Sequence, residues 1–158
     1  MKRKEVKIEE ECHHLVQNFR IIEEQLRRFA RIYEVDKYKL HIAEIDKIVN
    51  LILSLKYRLA PVENALTNVD WNGVDERYHL ERKRDKLLDQ LEETKLLWSF
   101  IDKRSTVVAG YIEQYLSYQE VVQFRQLVKT KVNQIVEMKK IKKAISEVFC
   151  ELRNIEYL

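Results

Sequence analysis

The sequence predicts an all-α protein built as a long, segmented coiled coil, and three observations carry that reading. Only two glycines and one proline occur in 158 residues, so the chain has few places where a turn comes easily. Charged residues make up 35% of it, and Leu, Ile, Glu, Lys, Arg and Gln dominate the composition, the makeup of long helices. Apolar residues recur at alternating four- and three-residue steps, the 3.5 period that keeps one stripe facing a neighbouring helix over many turns. A single domain over residues 1–158 follows, in segments of about 5–68, 75–116 and 118–156.

The first seam runs Ile8, Cys12, Leu15, Phe19, Ile22, Leu26, Phe29, Tyr33. A second, offset from it, runs Ile45, Ile48, Ile52, Leu55, Leu59, Val62, Leu66, Val69. Between them EVDKY (Glu34 to Tyr38) shifts the register without a turn residue, which predicts one continuous helix with a stutter. Pro61 removes a helical hydrogen bond to the Tyr57 carbonyl, yet the seam keeps phase across it, which favours a kink over a reversal.

The first firm break is NVDWNGVDE, Asn68 to Glu76. Asn72-Gly73 signals a turn, Asp75 can cap the next helix, and Glu76 suits its dipole. That helix carries Leu80, Leu87, Leu91, Trp98, Ile101, Val108, Ile112 and Tyr115 on one stripe, with Gly110 in its interior. A softer break falls at Ser117, where Ser117-x-x-Glu120 has the form of a capping box. The last helix is expected to bury Phe124, Val128, Ile135, Met138, Ile145, Phe149 and Leu152.

The chemistry classes are narrow. Cys12-His13-His14 stand about 100° apart on a helix and do not converge on one ion, and His41 and His79 lack a partner at ligand spacing. No metal or cofactor is expected. Neither glycine precedes a Lys-Ser or Lys-Thr pair, so no phosphate-cradling loop is present, and long thin helices seldom form the concave, dry site that catalysis needs. No enzyme activity is expected. Net charge is +3, from 29 basic and 26 acidic residues, which gives no global field for nucleic acid. Arg82-Lys83-Arg84 and Lys139 to Lys143 read as solvated helix faces, with a partner protein bearing an acidic stripe left open. No run approaches the roughly 20 apolar residues of a membrane span, so no membrane insertion is expected. Two distant cysteines define no disulfide framework, and no targeting segment is read at the start, which fits a reduced, cytoplasmic protein.

The stretch DKYKLHIAEIDKIVNLILSLKYRLAPVENAL, Asp36 to Leu66, resembles the signature of the C-terminal conserved domain of Shroom proteins. Its core, SLxxRLAxVENAL, is met by Ser54, Leu55, Arg58, Leu59, Ala60, Val62, Glu63, Asn64, Ala65 and Leu66. Further matches keep the family's order at Gln90, Glu92, Lys95, Leu97, Asp102-Lys103-Arg104, Val107-Val108, Tyr115-Leu116, Val128-Lys129 and Lys131. The resemblance implies a rod-like, extended antiparallel homodimer, seamed here by Ile48, Ile52, Leu55, Leu59, Val62, Leu66, Leu87, Leu91, Ile101, Val108, Ile135 and Ile145. A three-helix hairpin monomer that buries the same stripes is the alternative architecture. The resemblance also implies binding to the coiled-coil region of Rho-associated kinase, recruiting it to apical cell junctions and the cytoskeleton to raise actomyosin contractility and drive apical constriction. The partner-binding role passes to Ser54, Leu55, Arg58 and Leu59, and to Arg104, Lys129 and Lys131. Actin association is expected only through regions outside this chain. Two departures stand out: Pro61 where the family has arginine, and Lys56-Tyr57 where it has small polar residues. The rival reading is a purely structural rod that self-associates.

Overall fold

The structure is a computed structural model that describes residues 2–70 and 72–156. It is all-α among those residues, with four helices: α1 (Lys2–Phe29), α2 (Ile32–Asn68), α3 (Val74–Tyr115) and α4 (Tyr118–Glu156). Successive helices run antiparallel. Tyr38 near the start of α2 meets the middle of α1, donating its hydroxyl hydrogen to the Phe19 carbonyl at 2.9 Å. Phe19 and Tyr38 both pack on Phe124 near the start of α4, with ring centroids 6.4 Å and 5.8 Å apart.

Two regions of core result. At one end all four helices converge, and Phe19, Ile22 and Leu26 of α1, Tyr38 of α2, Ile112 of α3 and Phe124 of α4 are buried together. This core continues through Ile45, Val49 and Ile101, with Trp98, Val132 and Ile135 packed against them. Beyond it α2 and α3 continue as a two-helix arm, sealed by Leu55, Leu59 and Val62 against Leu87 and Leu91. The stripes that the sequence assigns to a seam between two chains therefore meet within one chain. The chain folds back on itself as the hairpin alternative requires, but with four helices in place of three.

The extra joint corrects the expectation of one helix through EVDKY. The chain breaks just before it: Arg31 takes extended backbone geometry (φ −72°, ψ 154°), and α2 starts at Ile32. Glu34 secures the joint. Its carboxylate accepts the Arg31 backbone N–H at 3.1 Å and the Tyr115 hydroxyl at 2.9 Å, tying the α1–α2 joint to the end of α3. Without glycine or proline, the turn rests on a buried carboxylate that satisfies an orphan N–H. The break also ends the first seam early: Leu15 to Leu26 are buried, whereas Phe29 and Tyr33 are exposed.

Other joints follow more closely. α2 runs unbroken through Pro61, whose ring is exposed while Val62 is buried. At the α2–α3 turn, Gly73 donates its N–H to the Asp70 carbonyl at 2.9 Å. α3 opens at Val74 behind Gly73, so Asp75 is not the cap; it sits in the first turn beside Glu76, where both favour the dipole. Trp71, in the predicted break, lies outside the described residues. At Ser117 half of the capping box forms, the Glu120 N–H reaching Ser117 Oγ at 3.4 Å, while Glu120 Oε2 has no partner. Phe149 and Leu152, expected in the core, are exposed, because no other element packs on that face of α4.

Gly110 lies inside α3, and a Cβ built there meets nothing within 4 Å. Gly110→Ala is therefore expected to stabilise the chain by about 1 kcal/mol through helix propensity, read as a higher urea midpoint with an unchanged slope.

Candidate functional site

The pairing of α2 with α3 sorts the signature residues by helical angle. Leu55 and Leu59 point at α3 and are 3% and 9% exposed. Ser54 and Arg58 each precede one of them and so sit about 100° round the helix. Ser54 is half-buried and Arg58 is exposed. They belong to a line of α2 spaced by fours and threes, Leu40, Glu44, Lys47, Leu51, Ser54, Arg58, which runs along the side of the hairpin. A matching line on α3 runs Leu97, Phe100, Arg104, Val107. An ion pair between Arg104 and Glu44 joins the two lines, so they flank one shallow groove.

That groove carries unburied apolar surface. Leu40, Leu51, Leu97, Phe100 and Val107 are each exposed by between 44% and 52%, and the Lys103 ammonium lies 5.6 Å from the Phe100 ring centroid. Two helices offering leucines at heptad-like spacing form the holes into which a third helix sets its knobs. Arg58 and Arg104 at the border supply planar forks for carboxylates of such a helix. In shape and chemistry the surface suits a helical partner.

Beneath the groove lies a buried polar cluster with unpaired atoms. His41 is 1% exposed, and neither ring nitrogen has a hydrogen-bond partner. Glu44 pairs with Arg104 through one oxygen while the other, Oε2, is buried and unpartnered. Burial pushes the His41 pKa below its ordinary value, with Arg104 acting in the same direction and Glu44 and Asp102 opposing. His41 is thus a neutral core residue held against a carboxylate.

The seven residues carried over from the family signature fall in three places. Ser54, Arg58 and Arg104 share the groove. Leu55 and Leu59 support it from the seam. Lys129 and Lys131 lie elsewhere: Lys129 lines a recess between α3 and α4 with Asp102, Ser105 and Thr106. Lys131 is 8% exposed, with its ammonium 3.0 Å from Asp46 and 5.5 Å from the Phe19 ring centroid. A buried, paired lysine does not present itself to a partner in this conformation. Leu40, Leu51 and Phe100 were not singled out from sequence, and Leu97 only as a match to the family's pattern. The signal was there in Leu40 and Leu51, which keep phase with Ser54 and Arg58, but each looked like a stray leucine beside a stronger stripe.

Residues 1–154 match the family described as Apx/Shroom domain ASD2. The chain is 35% identical to Protein Shroom4 of Homo sapiens over 124 residues, covering 78% of this chain and 8% of that protein. It is 38% identical to Protein Shroom2 of Homo sapiens over 114 residues, covering 71% of this chain and 7% of that protein. It is 35% identical to Protein Shroom of Drosophila melanogaster over 120 residues, covering 74% of this chain and 7% of that protein. The chain thus spans less than a tenth of the length of these curated relatives.

Two outcomes follow from this geometry. Arg58→Ala is expected to leave unfolding within about 0.5 kcal/mol of wild type, as exposed positions do, while Leu59→Ala costs about 2–5 kcal/mol from the seam; thermal and urea melts separate them. The second concerns pH. The unfolded chain binds a proton at His41 more readily than the folded one, so the native advantage is complete above about pH 6.5. It is lost progressively as the pH falls toward the lower folded value. Urea midpoints measured from about pH 7.5 down to 5 should therefore fall, and His41→Leu should flatten that slope.

Proposed function

The chain belongs to the Apx/Shroom ASD2 family, and from that premise we propose that it is a non-catalytic cytoskeletal adaptor domain. It binds the coiled-coil region of Rho-associated kinase along the groove between α2 and α3. Recruitment of the kinase then promotes actomyosin contractility and apical constriction, at the cytoskeleton beneath apical cell junctions. One observation supports this most: the arginine of SLxxRLAxVENAL stands exposed beside leucines that the fold leaves uncovered. A coiled coil is a partner of matching shape, since it offers a helix with a regular apolar stripe and flanking carboxylates. Lys56-Tyr57 does not obstruct that surface, because Tyr57 turns toward α4, where the Lys143 ammonium lies 4.7 Å from its ring centroid.

Self-association belongs to the same proposal. The α2 and α3 stripes are already occupied within the chain, so a homodimer uses faces that remain open, or exchanges arms about the Asp70–Gly73 turn. A self-associating rod with no kinase partner is the reading that competes with this one.

Pull-down with the kinase's coiled-coil segment tests both. Wild-type chain is expected to bind, and Arg58→Glu combined with Leu51→Ala to lose binding by about a hundredfold or more, as for central anchors worth 2 kcal/mol or above. Unimpaired binding by that variant removes the groove from the contact. No binding by wild type ends the kinase reading, leaving sedimentation to score self-association alone.

A further inference from the structure

The folded chain gathers cations that the sequence keeps far apart. The start of α1 lies against the second half of α4, where Lys4 and Lys7 share a recess of about 540 Å³ with Glu137 and Ile141. On the adjoining side Lys139 and Lys142 border a second recess, of about 300 Å³, together with Asn50 of α2. Lys143 reaches α2 at Tyr57, the neighbour of exposed Lys56. Three helices thus form a basic collar around the root of one protruding helix end. Carboxylates are present but outnumbered: Glu11 lines the first recess, Asp46 lines the second and pairs with Lys131, and Glu137 lies 3.5 Å from Lys140 and Glu147 4.0 Å from Lys143. Lys4, Lys7, Lys139 and Lys142 have no carboxylate partner among the described residues.

The end that projects from the collar is apolar on one side. From Ser146 to Asn154 every side chain of α4 is exposed, including Val148, Phe149 and Leu152, which are 39%, 59% and 51% exposed. At about 100° per residue these three fall within an arc of about 100°, with Glu147 and Glu151 turned away from it. Exposed on every side, this segment offers a convex apolar tip.

We propose that this end of the molecule is a peripheral docking surface for anionic phospholipid bilayers, the α4 tip entering the headgroup boundary through Val148, Phe149 and Leu152 while the collar lysines meet the lipid phosphates. A basic amphipathic helix with an aromatic on its apolar face has the chemistry of an interfacial anchor, and clustered lysines are drawn to anionic leaflets. A second copy of this chain would bring the same cations to the same place, whereas an anionic bilayer brings only the opposite charge. A bilayer also needs no concave wall to receive a convex tip. Among the described residues no helix is long and apolar enough to cross a membrane, so the contact proposed is shallow.

Co-sedimentation with phosphatidylcholine vesicles, with and without about 30% phosphatidylserine, is the test, and it requires no kinase. Wild-type chain is expected to pellet with the anionic vesicles alone and to be released by high salt, which screens the collar. At roughly 1 kcal/mol per surface lysine, a fivefold step each, the triple variant Lys139→Gln, Lys142→Gln, Lys143→Gln should partition on the order of a hundredfold less. The exposed pair Phe149→Ser and Leu152→Ser should weaken partitioning as well, with circular dichroism and melting unchanged. Equal retention on neutral vesicles, no retention on anionic ones, or binding indifferent to the loss of Phe149 and Leu152 would each overturn the proposal. The triple variant is expected to keep full binding to the kinase segment, so failure here is distinct from failure of the kinase reading.

Discussion

α2 and α3 lie against one another along most of their length, and the burial between them governs what the molecule can offer to anything else. Each is amphipathic over some forty residues, and a stripe of Leu, Ile and Val that long is unfavourable in water unless covered. Covering it inside the chain sets the rotation of both helices. Once Leu55, Leu59 and Val62 face Leu87 and Leu91, Arg58 has no choice but to stand at the side. Arg104 then arrives beside Glu44. The groove is thus a by-product of the seam.

The joints explain why the chain becomes a bundle. A helix with no glycine or proline to stop it tends to continue, yet α1 stops at Phe29 and the chain reverses by Ile32. Folding back lets Phe19, Ile22 and Leu26 share a core with Tyr38, Ile112 and Phe124, which outweighs the few helical hydrogen bonds lost at the bend. Glu34 reduces that loss by accepting the Arg31 N–H, and its bond to Tyr115 means α3 must be in place as well. Accepting that bond favours the protonated phenol, which raises the Tyr115 pKa. The joint is therefore a tertiary feature, formed by residues separated by 81 positions.

Polar groups inside this core divide into satisfied and unsatisfied ones. Tyr38 places its hydroxyl on the Phe19 carbonyl, and Lys131 pairs with Asp46, so each recovers part of the solvation it gives up. His41 and the second oxygen of Glu44 recover nothing. Each buried polar atom left unpaired costs desolvation energy, so this cluster offsets part of what the leucine seam beside it contributes.

Apart from the break between α1 and α2, the helices, their stripes and the family were legible in the letters, because each is a local or near-local property. Periodicity alone places Leu55, Leu59, Leu87 and Leu91 on burial faces, the words SLxxRLA and VENAL carry the family, and the turn at Asn72-Gly73 needs only its own residues. What lies across each stripe was not legible. A heptad pattern is equally content against another chain or against the next helix of its own, so nothing in the sequence separates an extended dimer seam from a hairpin seam. Lys131 and His41 show the same limit: one reads as a surface cation and the other as an unremarkable histidine until helices from elsewhere close over them. The basic runs near residues 4 and 140 look diluted by surrounding acids, and only the antiparallel lie of α1 on α4 makes them neighbours. Sequence by itself determined which residues needed covering; tertiary structure decided what covers them and which were left in water, since burial depends on contacts between segments that share no local code.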